Sequence, residues 1–411
     1  MQFRRFLHNR SVTPDEMAAH GREATATRVA GRDIVVVQDT SELVLGGRWA
    51  RDNGYGPVGK GGALGGLLLH AALAVEAGTG ALLGLADLQI WNRTGGKVTP
   101  RRSRATAHKE SQRWIKSTLR AGEVLVAARS ITSVSDREGD IYEHFARRLA
   151  NVDLIVRACQ NRKLESAEGQ SERYLLDFAD GLPEQGCIMV TIPAAPGRKA
   201  RVAELAVRFS PVVLSKPANG AAADLPQSIE VMLVDVRETP KPKEGERVHW
   251  RLLTTHRIAS ISEAHRIVDL YRLRWTIEEY FRTLKTAGFH IEETDLSDPR
   301  AMMNFVAAAA IAAVTVMQLV KARDGTTSQL LADAFDPADR PLLEALSAQL
   351  EGKTARQKNP HPPGSLAFVA WVIARLGGWT GYYGKPGPRV MREGLDDFQR
   401  IKYGSTLRLN V

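Results

Sequence analysis

The feature that most constrains the fold is an alternation of short apolar runs with amphipathic segments over the first 160 residues. Runs rich in β-branched or aliphatic residues and bounded by turn signals predict buried strands, whereas helical spacing that ends at a glycine predicts a helix. The predicted order is three strands at 33–39, 62–76 and 80–92, a helix at 109–122, a strand at 131–136, a helix at 140–150 and a strand at 153–158. This order predicts an α/β fold that begins with a three-stranded meander.

Two aspartates end predicted strands of this series. Asp39 ends the first strand (DIVVVQD) and Asp136 ends the fourth (ITSVSD). The order of elements resembles that of an RNase-H-like fold, in which the first and fourth strands are neighbours, so that the two acids would lie side by side. Considered separately, Asp39 is interpreted as an acidic residue in the turn at a strand end, and Asp136 is interpreted as a helix cap.

The composition and the hydrophobic pattern of the sequence change after the last predicted strand of this core. Glycines, prolines and short alternating runs predict a mostly β insertion, after which helical spacing resumes at 260–288 and persists from 299 onward. The predicted segments are an N-terminal remnant at 1–30, a first part of the core at 31–159, a β-rich insertion at 160–256, a return of the core at 257–325 and a helical C-terminal region at 326–411.

Charge and composition restrict the class of partner. The chain has 411 residues, a net charge of +10 and an isoelectric point near 9.7, which favours a polyanionic partner such as nucleic acid. Cys159 and Cys187 form no CxxC pair, which argues against a structural zinc site and for a reducing compartment. The two cysteines favour a cytoplasmic location. The apolar run at 301–320 approaches transmembrane length, but it is rich in alanine and contains amides, so we expect a buried helix and no membrane partner.

The segment YRLRWTIEEYFRTLK at 271–285 carries two adjacent glutamates among cations. Because a helix turns about 100° per residue, Glu278 shares a stripe with Arg274 and Lys285, whereas Glu279 points about 100° away toward solvent. The simplest alternative is a surface ladder in which Arg274 pairs with Glu278 at i,i+4. Together with the two aspartates, however, Glu278 supplies a third hard oxygen ligand of the kind that suits Mg²⁺, or Mn²⁺ as its substitute.

The motifs around these acids resemble those of a known family. The spacing Y-x2-R-x3-E-x6-K is present as Tyr271, Arg274, Glu278 and Lys285, while QDTSEL (38–43) and SDREGDIY (135–142) are similar to two aspartate motifs. These motifs resemble the DDE transposases of the insertion-sequence-four family. GSLAFVAWVIARLGGW near the C-terminus is similar to the branch typified by the transposon Tn-five.

The resemblance implies a role for each matching residue. Asp39, Asp136 and Glu278 would be the catalytic, metal-binding triad. The implied DNA contacts are Tyr271, Arg274, Lys285, Arg157 and Arg282, together with Trp250, on which a flipped base would stack. The physical alternative for Trp250 is an aromatic residue on a strand face. The basic segment RRSRATAHK at 101–109 is expected either to run along a DNA backbone or to be a solvated loop.

Two neighbours of Asp136 compete with it for a role. Glu138 is expected to orient Arg137 or a metal-bound water, and Asp140 is expected to cap the following helix.

The resemblance further implies cut-and-paste transposition of double-stranded DNA by nicking, hairpin formation and strand transfer. It implies a homodimer in a bacterial cytoplasm, associated with the nucleoid when DNA is bound. Only 38 residues precede Asp39, where the branch has a longer end-binding region, so a shortened chain is expected. The alternatives are a truncated, non-catalytic DNA-binding or inhibitory derivative and a host RNase-H-like nuclease.

Overall fold

A computed structural model describes residues 2–93, 110–165, 173–192, 200–219, 221–242 and 245–408. Its strands are β1 (Asp33–Gly46), β2 (Gly56–Val58), β3 (Leu64–Glu76), β4 (Leu82–Trp91), β5 (Ser130–Ser135), β6 (Val152–Arg157), β7 (Lys163–Leu164), β8 (Arg173–Tyr174), β9 (Gly186–Ile192), β10 (Arg201–Ser215), β11 (Ser228–Glu238) and β12 (His249–Thr254). Its α-helices are α1 (Gln2–His8), α2 (Pro14–Arg28), α3 (Arg48–Asp52), α4 (Gln112–Val124), α5 (Tyr142–Ala146), α6 (Leu175–Asp180), α7 (Ile261–Arg272), α8 (Trp275–Arg282), α9 (Pro299–Ala322), α10 (Arg340–Leu350), α11 (Leu366–Leu376) and α12 (Pro388–Arg408).

One mixed sheet runs through the molecule in the order β2-β3-β1-β5-β6-β12-β11-β10-β7-β8, with β4 paired to β3 and β9 paired to β10. The β1–β5 and β5–β6 pairs are parallel, and the other pairs are antiparallel. The predicted meander is present as β1, β3 and β4, although the short β2 also pairs with β3. The prediction that the first and fourth strands of the series are neighbours is confirmed, because β1 pairs with β5.

The centre of the sheet is covered by helices on both faces. Along β1, Val35 and Val37 join the apolar cluster that holds residues of α7, α8 and α9, whereas Ile34 and Val36 join the cluster that holds residues of α4, α5 and α6. A strand buried on both faces is apolar without interruption, which explains the sequence IVVV at this point. The core of the fold is therefore a three-layer arrangement with β1 at its middle.

The long apolar helix α9 packs within the molecule. It contacts α2, α11 and α12 as well as β4. Its length and mean hydropathy of 1.9 would allow it to cross a membrane, but 61% of its most apolar window is buried inside the protein. The run at 301–320 thus forms a buried core helix, as predicted.

The predicted insertion adds strands to the same sheet. The antiparallel strands β10, β11 and β12 join the core through the pairing of β12 with β6. After α9 the described chain is largely helical, and α10, α11 and α12 share a third apolar cluster with the end of α9. A large mixed sheet followed by C-terminal helices is compatible with an RNase-H-like DDE domain.

The helical segment at 260–288 is less regular than predicted. It divides into α7, which begins with a capping box between Ser260 and Glu263, then α8, and then a π-helical turn at Thr283–Ala287. Leu273 and Arg274, between α7 and α8, keep right-handed helical dihedrals, so the chain continues in register through Glu278. The π turn adds residues to the last turn and thereby changes the direction in which Lys285 points.

Candidate functional site

Asp39 lies in the middle of a strand rather than at its end, so the prediction of a strand-end acid is wrong for β1 as a whole. The physical reason is that β1 has two neighbours of different length. Its parallel pairing with β5 stops at Val37↔Val134, whereas its antiparallel pairing with β3 continues through Asp39↔Ala71 to Gly46. Asp39 therefore lies just beyond the point at which β1 loses one neighbour.

Asp136 directly follows β5 and lies at the same level of the sheet. Because Val37 is opposite Val134, Asp39 and Asp136 each lie two residues beyond the last pair. The side chain of Asp136 caps the 3₁₀ turn Arg137–Gly139 by accepting from the backbone N–H of Glu138 at 2.9 Å. The reading of Asp136 as a cap is confirmed, and the cap holds this carboxylate beside Asp39.

The proximity of the two acids perturbs Asp39. Its pKa is raised to about 6, first by burial and then by the negative charge of Asp136. The backbone N–H of Thr40, which donates to Asp39 Oδ1 at 2.7 Å, and the charge of Arg274 act in the opposite direction. Asp39 is therefore an acid whose ionised form lacks sufficient positive charge around it.

Arg274 joins Asp39 to Glu278. Its Nη1 donates to Asp39 Oδ2 at 3.0 Å, and its Nη2 donates to Glu278 Oε1 at 2.5 Å. The predicted i,i+4 pair is present, but it is one half of a bridge between the sheet and α8. The Glu278 side chain is 53% exposed, compared with 15% for Arg274.

Glu279 faces a different part of the molecule, as helical phase predicts. It is exposed, and its charge acts on the ammonium group of Lys321. The pKa of Lys321 is lowered by burial, and the negative charge of Glu279 partly offsets that decrease. Of the two adjacent glutamates, Glu278 is the one that Arg274 connects to Asp39.

Three of the residues implied as DNA contacts form a layer next to this bridge. The ring of Trp250 on β12 lies 5.4 Å from that of Tyr271 and 6.4 Å from that of Trp275, measured between centroids. Arg157 on β6 donates through Nη2 to the carbonyl of His249 at 3.1 Å. Burial raises the pKa of Tyr271, while the charges of Arg274 and Arg157 oppose that increase. In this conformation Trp250 is 8% exposed, so its ring is part of the core.

The other two cations lie farther along the same segment. Lys285 Nζ donates to the carbonyl of Glu42 and lies 3.2 Å from a carboxylate oxygen of Glu292, which places it against β1. Arg282 is exposed at the end of α8. The basic segment at 101–109 lies outside the described residues.

The two acids near Asp136 have other partners than predicted. Glu138 pairs with the guanidinium of Arg113, which also donates through Nε to Thr40 Oγ1 at 2.6 Å. The prediction that Asp140 caps a helix is wrong, because Ile141 is the N-cap of α5. Asp140 instead forms a buried ion pair with Arg162 at 2.6 Å and accepts from the backbone N–H groups of Cys159 and Gln160.

Sequence reasoning missed three residues that contact one another or the segments on either side of the two aspartates: Gln38, His70 and Arg113. Gln38 and His70 are fully buried and hydrogen-bonded to each other, and each directly follows an apolar run, IVVV before Gln38 and LLL before His70. A buried polar residue next to a candidate catalytic acid was the available signal, because such a group needs a partner. Arg113 has no comparable signal, since its contacts on β1 and on the turn after β5 are far away in sequence.

The donor set suits a divalent cation in its chemistry. Asp39, whose pKa is raised, Asp136 beside it and Glu278, which Arg274 joins to Asp39, all offer hard carboxylate oxygens as donors. Within the part of the chain that the structure describes, no three acidic, histidine or cysteine side chains are grouped closely enough to hold one ion. Arg274 instead supplies the positive charge between Asp39 and Glu278.

The fold is an α/β arrangement that places Asp39 beside Asp136 and joins Asp39 to Glu278 through Arg274. Residues 177–315 match the family model described as a transposase DDE domain. The match supports a DDE transposase, a class for which metal-dependent nuclease or transposase activity, a divalent metal ion and a DNA substrate are implied. It covers Trp250, Tyr271, Arg274 and Glu278, whereas Asp39 and Asp136 lie before its first residue.

Proposed function

We propose that this chain is a cut-and-paste DNA transposase of the insertion-sequence-four family, in the branch typified by the transposon Tn-five. The observation that carries the proposal is the bridge through Arg274, which connects Asp39 beside Asp136 on the sheet with Glu278 on α8. The order of these three acids along the chain and the contact of Arg274 with both Asp39 and Glu278 support a single catalytic centre.

Asp39, Asp136 and Glu278 are the proposed ligands of Mg²⁺, with Mn²⁺ as its substitute. When bound, such ions polarise the attacking and leaving oxygens of an in-line displacement at phosphorus. Arg274 holds Asp39 and Glu278 at its two amino groups, so transfer of its guanidinium to a DNA phosphate would release both carboxylates. The cap from Asp136 to the N–H of Glu138 keeps that carboxylate oriented beside Asp39.

The proposed reaction uses one centre for successive displacements. Water attacks the phosphodiester at a transposon end, the released 3′ hydroxyl attacks the opposite strand to form a hairpin, and the hairpin is hydrolysed. The 3′ end then joins target DNA. Each displacement has the same geometry at phosphorus, which is why one set of carboxylates suffices.

The proposed DNA surface is the layer beside the acids. Tyr271, Arg274 and Arg157 are the proposed contacts next to the triad, and Lys285 and Arg282 extend the cationic surface along the same segment. Trp250 is the proposed stacking partner of a flipped base, for which base–aromatic stacking is worth about 1–3 kcal/mol. Because Trp250 is buried against Tyr271 and Trp275, this role requires its ring to become accessible when DNA binds.

The domain division is part of the proposal. The core comprises 31–159 and 257–325, interrupted by the β-rich insertion at 160–256, and the helical region at 326–411 is the proposed dimerisation region. Two protomers would bring two transposon ends together. The proposed location is the bacterial cytoplasm, with association to the nucleoid through DNA.

The test uses the purified chain and linear DNA carrying the sequences that flank its reading frame, with unrelated DNA of equal length as control. With Mn²⁺ or Mg²⁺ we expect an end-specific nick, a hairpin and joining to a target plasmid, all lost in Asp136→Asn. Degradation without end specificity or joining would favour a host nuclease. Binding without any cleavage would favour a non-catalytic, inhibitory protein.

A further inference from the structure

Four polar side chains are buried beneath the two aspartates. Gln38 on β1, His70 on β3, Thr118 on α4 and His144 on α5 are each no more than 1% exposed. A buried polar group without a hydrogen-bond partner is costly, so the partners of these four groups constrain their protonation.

The donor and acceptor of each hydrogen bond can be assigned by starting from His144. His144 Nδ1 lies 3.1 Å from the carbonyl oxygen of Gly139, which only accepts, so Nδ1 carries a proton. In a neutral imidazole Nε2 then accepts, and the hydroxyl of Thr118, at 2.8 Å, donates to it. Because the only hydroxyl proton of Thr118 is donated to His144, the Thr118 oxygen accepts in its contact with Gln38 Nε2, which lies at 2.9 Å.

The same reasoning continues to the other side of β1. With its amide nitrogen facing Thr118, Gln38 presents Oε1 to His70 Nε2 at 3.1 Å, so that Nε2 donates. His70 Nδ1 then accepts from the hydroxyl of Thr40 at 2.8 Å. The oxygen of Thr40 accepts in turn from Arg113 Nε at 2.6 Å. All donors in this chain point the same way, from Arg113 to Gly139.

Both histidines are in the neutral state that this assignment requires. Burial lowers the pKa of His144 to about 4, and burial together with the charge of Arg113 holds the pKa of His70 well below its usual range. The chain of hydrogen bonds therefore has one defined tautomer at each ring.

The two ends of the chain meet at the turn that Asp136 caps. One end is the carbonyl of Gly139, and the other is Arg113, whose second amino group pairs with the carboxylate of Glu138. In between, the chain passes through Gln38 and Thr40, the residues on either side of Asp39. The contacts form a closed ring, which we call the buried ring: Glu138, Arg113, Thr40, His70, Gln38, Thr118, His144 and Gly139.

We infer that the buried ring positions Asp39 relative to Asp136, with Gln38, His70, Thr118 and His144 as positioning residues; this inference rests on the proposed function. Successive side chains of a strand point to opposite faces, so holding Gln38 and Thr40 on one face fixes the direction of Asp39 on the other. Holding the turn at Glu138 and Gly139 fixes the cap made by Asp136. One ring thus sets both carboxylates that must approach the same ion.

Thr118→Val tests the inference, because it keeps the shape of the side chain and removes both hydrogen bonds that Thr118 makes in the ring. Thr118→Ser retains the hydroxyl. Thr254→Val is the matched control, since Thr254 on β12 is also fully buried and donates to the carbonyl of Leu154 at 2.7 Å outside the buried ring. The readout is the affinity for Mn²⁺ measured without DNA, with circular dichroism confirming that each variant is folded.

We expect Thr118→Val to bind Mn²⁺ about tenfold more weakly than the wild type, as for loss of an outer partner of metal ligands. Thr118→Ser and Thr254→Val should bind as the wild type does. Equal affinity in Thr118→Val and the wild type would overturn the inference alone. Failure of the wild type to bind Mn²⁺ would overturn the proposed function and, with it, the inference.

Nitrogen NMR of the wild-type histidines supplies a second test that needs no substitution. We expect His144 to carry its proton on Nδ1 and His70 to carry its proton on Nε2. The opposite tautomer at either ring would break the direction of the ring and overturn the inference.

Discussion

Two clusters of aspartate and arginine lie in the same sheet and differ in their balance of charge. At the candidate active site, Asp39 and Asp136 are adjacent, and Arg274 is the cation that bridges Asp39 to Glu278. In the insertion, Asp235 on β11 is fully buried and lies within 4 Å of four basic side chains: His249, Arg251, Arg208 and Arg237. Arg237 and Arg251 also share Asp180.

The difference shows in the acids themselves. The pKa of Asp39 is raised to about 6, first by burial and then by the charge of Asp136. Although burial acts in the opposite direction, hydrogen bonds from Arg237 and Arg251 hold the pKa of Asp180 below its usual value. In the insertion, two arginines lower the pKa of Asp180, whereas at the candidate site Asp39 is short of positive charge. That deficit is what a bound cation would relieve.

The largest effect is expected at Glu278. In Glu278→Gln, cleavage of end-bearing DNA should fall by more than the roughly 10–100-fold that loss of an outer partner of a metal ligand costs. Single-turnover cleavage in Mn²⁺ measures this, while gel-shift binding to the same DNA should persist. A cleavage rate within a few-fold of the wild type would remove Glu278 from the proposed triad.

The second prediction addresses the compensated cluster. Asp235→Asn removes a fully buried negative charge from among several cations, and should lower the free energy of unfolding by about 3–5 kcal/mol. Urea denaturation at pH 7 measures the loss. A neutral or stabilising result would show that this cluster is not held together by its charges.

The third prediction has the opposite sign. Asp39→Asn removes a carboxylate whose ionised form is disfavoured by burial and by the charge of Asp136, and should raise the free energy of unfolding at pH 7 by about 3 kcal/mol while abolishing activity. Because the folded-state pKa of about 6 is above the ordinary value of 3.8, ionised Asp39 destabilises the fold. That cost is absent below about pH 4, grows as pH rises toward 6 and is complete above it.

Denaturation of Asp39→Asn and the wild type at pH 4 and at pH 7.5 measures this dependence. The gain in stability should be present at the higher pH and vanish at the lower one. A constant difference at both values would contradict the electrostatic explanation.

The smallest effect is expected at Glu279. It is exposed and faces Lys321 rather than the acids, so Glu279→Gln should change the free energy of unfolding by no more than about 0.5 kcal/mol and leave cleavage intact. The same denaturation and cleavage assays apply. Loss of cleavage equal to that of Glu278→Gln would contradict the distinction that helical phase makes between the two residues.

Local periodicity was sufficient to predict several parts of this arrangement. Apolar runs and helical spacing predicted the order of strands and helices, and a turn of about 100° per residue separated Glu278 from Glu279. The pairing of β1 with β5 was expected from the resemblance of that order to an RNase-H-like fold. These features depend on residues that are close in sequence or on the order of whole elements.

Other parts depend on contacts that periodicity does not contain. The sequence pattern ended the first strand at Asp39, because the apolar run stops there, but pairing with β3 continues beyond it. Asp140 precedes a predicted helix, as a cap would, but it forms a buried ion pair with Arg162, which is distant in sequence. The buried ring joins β1, β3, α4 and the turn after β5, so no single segment reveals it.

The central claim is that Asp39 and Asp136 share a divalent cation with Glu278. Crystals of the protein soaked in Mn²⁺, with anomalous diffraction recorded, test it most directly. We predict an anomalous peak about 2.0–2.3 Å from carboxylate oxygens of Asp39, Asp136 and Glu278, with the guanidinium of Arg274 moved away from Asp39. A crystal that binds Mn²⁺ elsewhere, with Arg274 still bridging Asp39 and Glu278, would contradict the claim.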